Sequence, residues 1–222
     1  MIPPLTPVVA LEGLDKFISV AKELAKLPAL VLPQYRPAAH DLYEISQKLL
    51  AANETLSRWL YLFLYFDFRH VDARSRFLDL VRDYRTMKQG VEFNQLKFSC
   101  GDISMIYSRN LTSTIGRWIT NQPKLEEAEG IFATLADADR DMVRFTYDYV
   151  VEKLDDAVGR METHVNVGQM GQMDAAEAER LVFKAEMAET TKRLEEFSGE
   201  LTDLVIRFAS IAQEPVTLRP LP

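Results

Sequence analysis

Between Leu42 and Phe68 apolar side chains return in alternating steps of three and four: Leu42, Ile45, Leu49, Ala52, Leu56, Trp59, Phe63 and Phe66. Steps of that size bring a side chain back to the same face of an α-helix, so the stretch predicts a helix with a seam for packing against other helices. From Trp59 onward the apolar character spreads around the whole circumference, through Leu60, Tyr61, Leu62, Leu64, Tyr65 and Phe68. A helix apolar on every side must be covered by neighbouring helices, by a partner or by lipid.

The same spacing recurs along most of the chain. Residues 1–10 hold three prolines and are expected to be extended. A first amphipathic helix comes next, with Leu11, Leu14, Phe17, Ile18, Ala21 and Leu24 on one face, ending near Leu27. Pro28 and Pro33 break the next apolar stretch into a connector. The second helix opens after Pro37 and runs to about Phe68; Asp67–Asp72 form the turn, with Asp72 placed to cap the third helix. No proline interrupts Ala73–Thr120, where Phe77, Leu80, Tyr84, Met87 and Val91 begin a long row. It predicts one helix, or two nearly collinear ones broken near Gly90 or Gly101. Its middle, Asn94–Thr112, is more polar and is the natural place for a hinge or a pocket around Asn94, Asp102 and Asn110.

A fourth helix is expected from about Lys124 to Val165. After the turn at Gly168–Met173 a fifth is expected, with Asp174 as its N-cap and Glu177 at the capping-box position. Its core row reads Leu181, Met187, Thr191, Leu194, Leu201, Val205 and Phe208, ending before Pro215; residues 215–222 form an extended tail. No period-two run predicts a strand. The fold class is therefore all-α: an elongated bundle of about five helices, three or four of them long, with coiled-coil-like packing in a single domain over 1–222.

Charge changes the picture by its placement. The chain of 222 residues has a formal net charge of −7. Residues 69–124 carry 10 basic against 5 acidic side chains, and residues 125–214 carry 9 against 21. If the two segments are neighbours, one sign answers the other inside the fold. The arginines Arg69, Arg74, Arg76, Arg82 and Arg85 are interleaved with Asp72, Asp79 and Asp83, which would repel phosphates and argue against nucleic acid.

Candidate chemistry is sparse. Three histidines and one cysteine lie on different predicted helices, too few and too scattered for a metal site; Asp67-x-x-His70 is the nearest approach. Cys100 stands beside no histidine and no glycine-rich elbow, so it reads as a small buried hydrophobe. No phosphate-binding loop or dinucleotide fingerprint is present, and no cofactor is expected. The lone cysteine and the absence of a signal-peptide pattern at Met1–Pro7 predict a cytoplasmic protein, at most peripheral at a membrane, since no run approaches the ~20 apolar residues a spanning helix needs.

What remains is a surface. The aromatic run and the basic residues after it nominate Trp59, Tyr61, Leu62, Leu64, Tyr65, Phe68, Arg69, Arg74 and Arg76 as contacts. The expected occupant is a second copy or a protein partner. The alternative is a membrane surface, met by the aromatic run 59–68 and the lysine-bearing first helix.

Overall fold

The computed structural model describes residues 7–26, 36–89, 140–167 and 172–213. Among them are five helices: α1 (Pro7–Lys26), α2 (Arg36–Leu64), α3 (Ala73–Gln89), α4 (Arg140–Val167) and α5 (Gln172–Ala212). They contain no strand and pack on one another as an all-α bundle.

α5 is the spine. Its buried row, Ala176, Phe183, Met187, Thr190, Leu194, Phe197, Leu201 and Val205, advances almost throughout in threes, fours and sevens, and keeps one face inward over its 41 residues. α2 lies antiparallel to it: Asn53, midway along α2, reaches Leu194 and Ser198, whereas Leu64 at the end of α2 meets Arg180. α4 is also antiparallel to α5, joined by Lys153–Glu186 and Arg160–Glu179. α1 runs parallel to the later part of α5, with Asp15 at Arg193 and Lys22 at Glu200. Its apolar row, Leu11 to Ala25, is buried, and its neighbours are α4 and α5.

α3 is held differently. Only Ala73, Phe77, Val81 and Tyr84 are buried, one narrow stripe. Phe77 and Tyr84 meet Phe63 edge-on at 6.0 and 5.5 Å, and Tyr84 lies 5.4 Å from Trp59. Large rings thus fill the space between α2 and α3, at separations typical of aromatic pairs. On its other side α3 is tied to α4 by charge. Arg85 grips Glu162, while Lys88 and the Tyr84 hydroxyl share Asp155, the latter at 2.8 Å. The basic segment and the acidic segment do answer each other here.

Several boundaries differ from the sequence reading. Residues 7–10 are helical, not extended, because Pro7 occupies the first helical position, where a missing N–H costs nothing. α2 stops at Leu64 instead of Phe68. Tyr65 N–H still donates to Tyr61 O, but Phe66 N–H tightens to Phe63 O, and the chain turns so that Phe66 and Phe68 fold onto Phe77 at 5.3 and 5.0 Å. Asp72 does mark the start of α3, through its backbone carbonyl, which accepts the Arg76 N–H at 3.1 Å. Asp174 lies inside the first turn of α5, and Glu177 turns to Arg180 instead of closing a capping box. Gln213 ends α5 with φ 63°, the left-handed conformation that terminates many helices. The expected connector at Pro28–Pro33, the polar seam Asn94–Thr112, Cys100 and the tail 215–222 lie outside the described residues.

Candidate interaction face

Where α2 ends against the first half of α5, a clamp fixes the local geometry. Arg180 donates to the Leu64 carbonyl, one of the acceptors that a helix C-terminus leaves open, while its other guanidinium nitrogens bind Glu177 at 2.7 and 2.8 Å. Both side chains are largely covered, at 11% and 17% exposure. The Arg180 guanidinium holds the Glu177 carboxyl below the usual carboxylate range. Asp67 accepts the Arg69 N–H at 2.9 Å and shapes the turn into α3.

This clamp divides the nominated contacts. Leu64 and Phe68 are buried and belong to the core, a correction to the sequence reading: Leu64 faces inward beside Phe63, and Phe68 is enclosed by Phe66 and Phe77. Trp59 is half-buried against Phe63 and Tyr84. Tyr61, Leu62 and Tyr65 remain exposed, at 59%, 36% and 52%. The two tyrosines, one turn apart, stack at 4.6 Å, and Lys184 of α5 stands over the Tyr65 ring at 4.1 Å. Arg69, Arg74 and Arg76 are exposed around the turn; Arg74 reaches the Asn166 carbonyl of α4 at 3.5 Å.

Sequence reasoning missed the apolar residues that α5 leaves exposed. Leu181, expected in the core, is 50% exposed, and Val182 beside it is 59% exposed. Ala178, Ala185 and Ala188 are exposed as well. The physical reason is phase. The inward row of α5 passes through Ala176, Phe183 and Met187, and Leu181 stands about 140° from that row. The missed signal is a second three-four row on the same helix, to which Leu181 belongs and Met187 does not.

The buried polar atoms of the bundle centre form another group. Ser46, Asn53 and Thr190 are fully covered, and Ser46 Oγ, Asn53 Oδ1 and Thr190 Oγ1 have no hydrogen-bond partner among the described residues. Asn53 Nδ2 donates to Leu194 O at 2.6 Å and Ser198 Oγ at 2.7 Å, tying α2 to α5 at one register. Among the described residues no three His, Cys, Asp or Glu side chains gather as for a metal ion, and no helix is long and apolar enough to cross a membrane.

The class is an all-α helical bundle, one that leaves Tyr61, Leu62 and Tyr65 of α2 and Leu181 and Val182 of α5 exposed. No protein-family model, curated protein or solved structure matches the chain.

Proposed function

We propose that this is a non-enzymatic helical-bundle protein that works by association, with itself or a protein partner, through the apolar face of α2 and α5. The observation that carries the reading is the exposure of Tyr61, Leu62, Tyr65, Leu181 and Val182 on two helices that pack on each other. Large apolar side chains left in water on a folded domain are candidates for such a contact. Tyrosine suits such a face, because its ring supplies area and its hydroxyl remains compatible with water when the face is free.

Light scattering over a concentration series tests this. A mass above the 25.4 kDa of one chain is expected, returning to the single-chain value in a Leu62→Arg, Leu181→Arg double variant. A strict single-chain mass at the highest soluble concentration would count against self-association.

A second reading, membrane association, rests on Val71, which is 97% exposed at the turn between Arg69 and Arg74. Apolar residues flanked by bases suit a lipid interface. The support is narrower than the sequence implied, because Phe66 and Phe68 fold inward and α1 has its apolar row inside the bundle. Flotation with anionic vesicles at low salt decides it: Val71→Asp abolishing co-migration supports the reading, and no co-migration of the unaltered chain disposes of it.

A further inference from the structure

On α5 the outward positions read Asp174, Ala178, Leu181, Ala185, Ala188 and Lys192, all exposed and separated by steps of four, three, four, three and four. This is the spacing of a helix-pairing seam, on the side of α5 turned away from its buried row. An acid opens it, a base closes it, and the four positions between are apolar. Asp174 and Lys192 stand nine residues either side of Phe183, Ala178 and Ala188 five, Leu181 and Ala185 two.

We infer that this row is the contact between two copies of the chain, paired antiparallel about a twofold axis at the level of Phe183; the inference deepens the association reading and rests on it. The symmetry supplies the argument. Under that operation Asp174 meets Lys192 of the second copy, Ala178 meets Ala188, and Leu181 meets Ala185, each contact occurring twice as an isologous interface demands. A parallel pairing places Asp174 on Asp174 and Lys192 on Lys192, so like charges meet at both ends. Alanine at three of the four apolar positions allows the two backbones to approach closely, and Leu181 fills the space over Ala185.

Glu177 and Glu189 border the row about 60° to either side of it, and Glu177 is engaged by Arg180 of its own chain. Lys192 has only a loose 3.8 Å approach to Glu196 and is 68% exposed, so it is free to reach across. Lys184, next to the axis, lies over Tyr65 at 4.1 Å, and the same rotation therefore brings the Tyr61–Tyr65 pairs of both copies to one edge of the seam. The paired stretch from Asp174 to Lys192 is ~27 Å long at 1.5 Å per residue.

The test uses the full chain in sedimentation equilibrium, with circular dichroism confirming that every variant is folded. A dimer is expected for the unaltered chain and a monomer for Ala185→Arg. Asp174→Lys alone and Lys192→Asp alone each create two repulsive pairs per dimer and weaken it roughly tenfold, and the double exchange Asp174→Lys, Lys192→Asp restores it. In a Cys100→Ser background, mixing an Asp174→Cys chain with a Lys192→Cys chain should give the mixed disulfide faster than either chain pairs with itself. A strictly monomeric chain, or a double exchange that fails to restore the dimer, overturns the inference. A dimer indifferent to Ala185→Arg but lost in Leu62→Arg also overturns it, while leaving the association reading in place with its contact moved to α2.

Discussion

Tyr84→Phe removes one oxygen from the joint that holds α3 to the bundle. The ring stays wedged between Trp59 and Phe63, so packing is unchanged, and only the 2.8 Å hydrogen bond to Asp155 is lost. A hydrogen bond to a charged group contributes about 1.5–3 kcal/mol to stability. Asp155 is 39% exposed and retains Lys88, so water takes over part of the acceptor's need. The expected loss therefore lies at the lower end, about 1.5 kcal/mol. Tyr84→Ala also removes the ring and should cost about 3–5 kcal/mol. Urea unfolding followed by far-ultraviolet circular dichroism measures both.

The same bond carries a pH signature. Burial first, then the hydrogen bond and the charge of Asp155, raise the Tyr84 hydroxyl well above the usual 10.0 of tyrosine. The folded chain thus holds a proton that the unfolded chain releases. Stability from this group is complete below about pH 10 and is lost as pH rises beyond it. Tyr84→Phe should flatten the decline in stability above about pH 10, while Tyr149, also raised by burial, titrates in both proteins. A Phe variant as stable as the parent at neutral pH, with the same alkaline slope, would refute the joint.

Two further substitutions probe the clamp and the register. Arg180→Ala leaves Glu177 without its base and Leu64 without its donor; removing one partner of a covered pair should cost about 3 kcal/mol in urea unfolding, and a loss under about 1 kcal/mol would deny the clamp its role. Because Glu177 is depressed below its ordinary 4.5, its contribution is present above that pH and is lost as pH falls; Glu177→Gln should flatten the acid limb, and an unchanged limb would show that another carboxyl governs it. Asn53→Ala forfeits two hydrogen bonds at about 1 kcal/mol each and leaves a cavity, whereas Asn53→Leu loses the same two bonds but fills the volume, so it should melt above the alanine variant. A leucine variant that melts below the alanine one would mean that the space between α2 and α5 at this level cannot take a branched side chain.

The all-α class and the buried rows were legible because helical periodicity is a local property: a side chain's angle around its axis follows from its number alone. Leu49, Leu56 and Phe63 of α2, and Leu194, Leu201 and Val205 of α5, lie where their spacing placed them. The arginine–carboxylate answer between the basic and acidic segments was likewise legible as charge counts, though not as the particular pairs Arg85–Glu162 and Lys88–Asp155.

Where α2 stops, and so which aromatic residues are covered, is not a local property. Leu64, Tyr65, Phe66 and Phe68 carry similar side chains in sequence. Phe66 and Phe68 fold inward because Phe77 of α3 offers a ring to pack on, whereas Tyr61 and Tyr65 stay in water, with Lys184 of α5 over the Tyr65 ring. Spacing along the chain set the helical rows and the residues that could be apolar contacts. The tertiary arrangement decided which of them face a neighbour within the chain and which face outward, since burial depends on what lies opposite.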